Sequence, residues 1–132
     1  MAMNEDYVSY KLALKLKACG FDEPCDHYYT PNKTLHIVKS NALAPEITNN
    51  RFLDEIDDGC CTAVPLWHAQ KWLREKHHIS VRVSYIAYHK AWFADWLNLD
   101  SGEFDDMDAT FATYEEALSE GIETALELIN HK

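Results

Sequence analysis

Thr113-Tyr114-Glu115-Glu116-Ala117-Leu118, continued through Ile129, reads as an N-capped amphipathic helix and decides how the second half of the chain is built. Thr113 and Glu116 stand at the Thr-x-x-Glu spacing of a capping box, in which two side chains satisfy N–H groups that the first helical turn leaves without partners. Ala117, Gly121, Ala125 and Leu128 form one row of this helix, and Leu118, Ile122, Leu126 and Ile129 form the next. The small residues of the first row predict a helix seated close against a sheet.

That sheet is expected just upstream. Ile79-Ser80-Val81-Arg82-Val83-Ser84-Tyr85-Ile86 alternates cleanly, with Ile79, Val81, Val83 and Tyr85 on one face. A second strand is expected within Ala91-Trp92-Phe93-Ala94-Asp95-Trp96-Leu97, with His89-Lys90 at the turn, making an aromatic hairpin over Ser84 to Leu99. Residues 100–109 read as an acidic loop, and Phe111 as one end of a third short strand. Before the hairpin, Pro65 to His77 has helical character, with Pro65 in the first turn behind Thr62 or Val64 as cap. Leu66, Ala69, Trp72 and Leu73 share one side of this helix; Trp67 lies off that stripe, either covered by the segment before it or open to a partner.

The first half is less regular. Residues 7–19 read as a helix rather than a strand, because Gly20-Phe21 followed by Pro24 forms a helix stop: glycine takes the left-handed position and the phenylalanine folds back on the last turn. His27–Thr30 and Thr34–Lys39 suit a hairpin turned through Pro31-Asn32-Lys33. Residues 40–61 read as a long surface excursion with one helical turn near Phe52-Leu53. The fold expected from these pieces is α+β: a single domain over residues 1–132, with a small, mostly antiparallel sheet and about three helices packed on it.

A chain of 132 residues, 47% hydrophobic and 12% aromatic, is large and apolar enough to bury a core without disulfides or a metal. The net charge of −10 repels phosphate backbones and disfavours nucleic acid as a partner; the clusters Lys11, Lys15, Lys17 and Lys71, Arg74, Lys76 then read as solvated helix faces. No apolar run is long enough to span a bilayer, and the acidic start, Met-Ala-Met-Asn-Glu-Asp, lacks the layout of a signal peptide, so the cytoplasm is the expected compartment and no membrane is expected as a partner. Cys19, Cys25, Cys60 and Cys61 are accordingly expected to be reduced thiols, and neighbouring Cys60 and Cys61 cannot readily bridge each other.

No motif marks a catalytic or cofactor site. Cys19, Cys25 and His27, with Cys60, Cys61 and His68, invite a zinc site, but no pair has the two-to-four-residue spacing of a zinc knuckle, so no metal or other cofactor is expected. No thiol carries the local signature of a Cys–His hydrolase. His77-His78 suits a helix end, where imidazolium favours the dipole. Asp54-Glu-Ile-Asp57-Asp58-Gly59 and Asn98-Leu-Asp100-Ser-Gly102 both miss the spacing of a calcium loop. What remains is interaction: Trp67, Trp92, Phe93 and Trp96 do not all fit one small core, and strand alternation separates Trp92, Ala94 and Trp96 from Phe93, Asp95 and Leu97. A non-enzymatic accessory protein is therefore expected, with a protein partner or a second copy of itself as the contact.

Taken in order, Val8-Ser9-Tyr10, Gly20-Phe21-Asp22-Glu23-Pro24-Cys25, Tyr28-Tyr29, Ala69-Gln70-Lys71-Trp72-Leu73-Arg74-Glu75-Lys76-His77 and Thr113-Tyr114-Glu115-Glu116-Ala117-Leu118 resemble a widespread group of small proteins of Bacteroides-type bacteria and their phages or integrated mobile elements. The resemblance spans most of the chain outside residues 30–60 and 97–110; it implies a bacterial or phage origin and brings no catalytic residue with it. Residues 80–130 alone, a hairpin and an acidic gap followed by Thr-x-Glu-Glu-Ala-Leu at a helix start, are similar to HicB-type antitoxin domains, which implies a sheet-and-helix layout like part of a double-stranded-RNA-binding fold and a nucleic-acid-associated regulator as the alternative role.

Overall fold

The computed structural model describes residues 6–38, 48–56, 59–106 and 109–130. The chain is α+β, with helices α1 (Tyr10–Ala18), α2 (Asn50–Ile56), α3 (Leu66–Lys76) and α4 (Tyr114–Asn130) among the described residues. The strands are β1 (His27–Tyr29), β2 (Leu35–Ile37), β3 (Cys61–Thr62), β4 (Ile79–Ile86), β5 (Ala91–Asn98) and β6 (Phe104–Asp106). They form two antiparallel three-stranded sheets, ordered β2-β1-β3 and β4-β5-β6, and the chain divides into two compact units at Pro65 and Leu66.

In the first unit, α1 begins at Ser9, whose hydroxyl accepts the Leu12 N–H at 3.2 Å. It ends as the sequence predicts. Gly20 sits at φ +91°, its N–H donates to the Lys17 carbonyl at 3.1 Å, and Phe21 N–H reaches back to the Leu16 carbonyl at 3.0 Å. This paired arrangement needs a left-handed residue, and the buried Phe21 and Leu16 supply its apolar contact. The β1–β2 hairpin turns at Lys33, where Lys33 N–H donates to the Thr30 carbonyl at 2.8 Å; Lys39, the expected end of its second strand, lies outside the described residues.

The expected surface excursion is corrected where it is described. Residues 48–56 enter the core, with Thr48, Asn50 and Leu53 buried, and α2 is capped by Asn49, whose side-chain oxygen accepts the Phe52 N–H at 2.8 Å. Asn50 spans two elements: its Nδ2 donates to the Phe21 carbonyl at 2.7 Å, and its Oδ1 accepts from Thr62 N–H at 2.9 Å. Cys61 and Thr62, expected in the loop and at a helix cap, instead form β3, paired with Tyr29 and Tyr28. A two-residue strand carries too little alternation to be read from a sequence. Residues 39–47 and Asp57-Asp58 of the acidic run lie outside the described residues.

The second unit runs α3-β4-β5-β6-α4. Thr113 caps α4: its hydroxyl oxygen accepts Glu116 N–H at 3.1 Å, while the hydroxyl donates to Glu116 Oε1 at 3.0 Å. Ala117, Leu118, Gly121, Ile122, Ala125 and Leu126 are buried, as the two apolar rows require. Helix α4 sits so close that a Cβ on Gly121 would lie 2.6 Å from Val81 Cγ1 and 3.0 Å from Ala94 Cβ. Leu66, Ala69, Trp72 and Leu73 of α3 are buried, and Gln70 Nε2 donates to the Val81 carbonyl at 2.8 Å on the outer edge of β4. At the end of α3, His78 takes φ +55° and its Nδ1 lies 2.9 Å from Asp100 Oδ1.

Strand β6 corrects the expected acidic loop: Phe104, Asp105 and Asp106 pair with Leu97, Trp96 and Asp95. Phe111 continues the pairing beyond, exchanging two 2.8 Å hydrogen bonds with Trp92. The segment Asn98–Gly102 is a tight turn in which Asn98 Oδ1 accepts the N–H groups of Asp100 and Ser101 at 2.9 and 3.1 Å, so its oxygens organise the chain itself. No helix is long and apolar enough to cross a membrane among the described residues.

Candidate functional site

The antiparallel register sorts the second sheet into two faces. On one lie Ile79, Val81, Val83 and Tyr85 of β4 with Trp92, Ala94 and Trp96 of β5, and α4 packs here against Val81 and Ala94. On the other lie Ser80, Arg82, Ser84 and Ile86, then Ala91, Phe93, Asp95 and Leu97, then Phe104 and Asp106. Burial follows the division only at the start of β4, where Ile79 and Val81 are buried and Arg82 is exposed; further along, Tyr85 on the helix-facing side is 49% exposed.

The four aromatic candidates thus separate. Trp92 and Trp96 share the helix-facing side and are half-buried; Trp92 packs against Tyr85 at 4.9 Å and edge-on against Tyr114 at 5.4 Å between ring centroids. Phe93 is on the opposite face, half-buried. Trp67 is 55% exposed on α3 and stacks on His68, which overturns the reading that it is covered. Phe104 joins Phe93 and Leu97 on the outer face and is 66% exposed. Sequence reasoning passed over Phe104 because it stands between Glu103 and Asp105 with Asp106 beyond, a run without the apolar–polar alternation that marks a strand.

A charged row crosses the outer face. Arg82 Nε donates to Asp95 Oδ1 at 2.7 Å, and Asp106 lies directly across from Asp95. The hydrogen bond and charge of Asp95 hold the Arg82 guanidinium above its usual pKa, with a smaller contribution from Asp106.

The thiols face the other way chemically. Cys25, Cys60 and Cys61 are buried, and burial pushes Cys25 up to about 12 and Cys61 up to about 11. Such thiols are protonated at neutral pH and poor as nucleophiles or metal ligands. Among the described residues no group of three His, Cys, Asp or Glu side chains is placed to hold a metal ion. The shallow cavity of the first unit, lined in part by Lys17, Asp22, Asn50 and Asp54, has its polar groups engaged: Lys17 pairs with Asp54 and donates to the Cys60 carbonyl at 2.9 Å, and Asp22 accepts Arg51 N–H at 3.0 Å. Of the lysine clusters, Lys17 is therefore spent on the fold, and Lys71 lies 3.7 Å from Glu75.

The chain matches no protein-family model, no curated protein and no solved structure.

Proposed function

We propose that the protein is a non-enzymatic accessory protein that works by association with another protein or with a second copy of itself, through the outer face of the β4-β5-β6 sheet. One observation carries this reading: Phe93 and Leu97 stand half-buried beside a 66% exposed Phe104 on the face opposite α4. Apolar side chains grouped on one open sheet face gain most when a second surface removes them from water. Trp67 is a separate exposed aromatic on α3. The sequence resemblance supports a bacterial or phage setting, and the acidic composition disfavours nucleic acid as a partner.

The test is site-specific photo-crosslinking in a bacterial host, with the photoreactive residue at position 104 or at position 67 of the full chain. A discrete adduct from position 104 supports the reading, and its mass tells a partner from a second copy. An adduct from position 67 alone transfers the contact to α3 and sinks the outer-face reading.

A second reading is a regulator of HicB-like type. It is favoured by the helix, three strands, helix order of residues 66–130, with α4 laid on one face of the sheet. Salt-sensitive binding of the full chain to DNA or RNA would support it, and its absence at low ionic strength would remove it.

A further inference from the structure

The row Arg82, Asp95, Asp106 runs across three strands with one guanidinium and two carboxylates, and Asp95 and Asp106 are direct cross-strand partners. Like charges in that position repel, and Arg82 hydrogen-bonds Asp95 and interacts more weakly with Asp106, so the row is left with one negative charge in excess, at its margin. Two residues along, Phe104 and Leu97 form an apolar pair on the same face. Among the described residues, strand β6 is also an edge. Asn98 N–H donates to the Glu103 carbonyl at 2.7 Å and Trp92 exchanges bonds with Phe111, which fixes the phase of the ladder. By its alternation, the N–H and C=O groups of Phe104 and Asp106 point away from β5. The edge therefore offers main-chain groups, an apolar side chain and an unbalanced negative charge in one short stretch.

We propose that β6 takes up an extended cationic segment of a partner protein as a fourth strand, with Lys or Arg opposite Asp106 and an apolar side chain opposite Phe104. The proposal rests on the association reading above and names the partner's chemistry. Charge complementarity selects the occupant. A cation beside Asp106 completes the row, whereas a second copy of β6 paired antiparallel about Asp105 would set Asp105 against Asp105 and bring no cation to Asp106. Residues 66–132 carry twelve acidic against six basic side chains, which steers a cationic segment inward from a distance. Main-chain pairing gives such a complex its affinity, and the alternate side chains give it specificity.

The full chain is titrated by calorimetry with capped peptides about eight residues long, alternating Thr with outer-face Lys and Val, and with a control in which Glu replaces Lys. The Lys peptide is expected to bind, more weakly as salt rises, and the Glu peptide to fail. Asp106→Asn weakens binding by roughly fivefold, the change that one part-exposed charge pair supplies. Asp106→Pro, which removes an outward N–H that an edge strand can spare, abolishes it. The proposal is overturned if the Lys peptide does not bind, if both peptides bind alike, if Asp106→Asn changes nothing, or if the chain forms a dimer that Asp106→Asn leaves intact. Failure of the peptides with an adduct still formed from position 104 overturns only the partner's chemistry; loss of both overturns the association reading as well.

Discussion

Gly121→Ala sets two known effects against each other. Gly121 lies within α4 without a positive φ, so alanine there gains helix propensity, about 1 kcal/mol. The added methyl would lie 2.6 Å from Val81 Cγ1 and 3.0 Å from Ala94 Cβ, well inside the contact distance of about 3.5–4.0 Å. Neither neighbour yields easily. Val81 is a buried β-branched residue with a stiff χ1, and the Ala94 methyl moves only with the strand backbone. Overpacking of this kind costs about 1–3 kcal/mol, and the stiffness of both contacts puts the cost in the upper half. The net expectation is a loss of about 1–2 kcal/mol, seen as a fall in Tm of roughly 4–7 °C. Urea unfolding followed by circular dichroism measures it, with an unchanged m-value. Val81→Ala relieves the nearer contact, so it should cost about 1 kcal/mol less in the Gly121→Ala background than in the wild type. If Gly121→Ala stabilises the protein, or the two substitutions simply add, the close approach of α4 to the sheet is refuted.

Asn50→Ala removes both bonds of a buried amide and leaves Thr62 N–H unpaired, a loss of about 2–4 kcal/mol in the same unfolding assay; a loss under 1 kcal/mol would return residues 48–56 to the surface. Thr113→Ala costs about 1 kcal/mol through the lost cap, and Thr113→Ser restores most of it. Half-buried Cys19 should react with a thiol reagent well before Cys25, Cys60 and Cys61, which react only on unfolding; fast labelling of Cys25 would contradict its burial. The same thiols set an alkaline limit. Their pKa values are raised on folding to about 12 and about 11, so their contribution is complete below pH 9 and declines as the pH rises toward those values. Denaturation midpoints at pH 8 and pH 10.5 measure the decline, and Cys25→Ala with Cys61→Ala should lessen it.

The sequence announced whatever rests on a local rule. Gly20-Phe21 ends α1 because a left-handed glycine and a returning apolar residue are properties of neighbours along the chain. The same holds for the cap that the Thr113 hydroxyl gives Glu116 N–H, and for the small row that admits α4 to Val81 and Ala94. Where partners are remote, the reading stopped. Asn50 looks like a loop residue until Phe21 and Thr62 come to meet it, and Cys61-Thr62 becomes a strand only beside Tyr28-Tyr29. Phe104-Asp105-Asp106 hides a strand because its composition is that of a solvated loop, and pairing with β5 overrides it. The aromatic set was found by residue type, but only the register divides it, sending Trp92 and Trp96 to the helix side and Phe93 to the face that Phe104 extends.

Residue-resolved amide hydrogen exchange of the full chain, alone and saturated with the Lys peptide, tests strand addition at β6 most directly. The amides of Phe104 and Asp106 point away from β5, so binding should slow their exchange while the amides around Trp67 keep their rates. Unchanged rates along β6, or slowing confined to the Trp67 region, would contradict it.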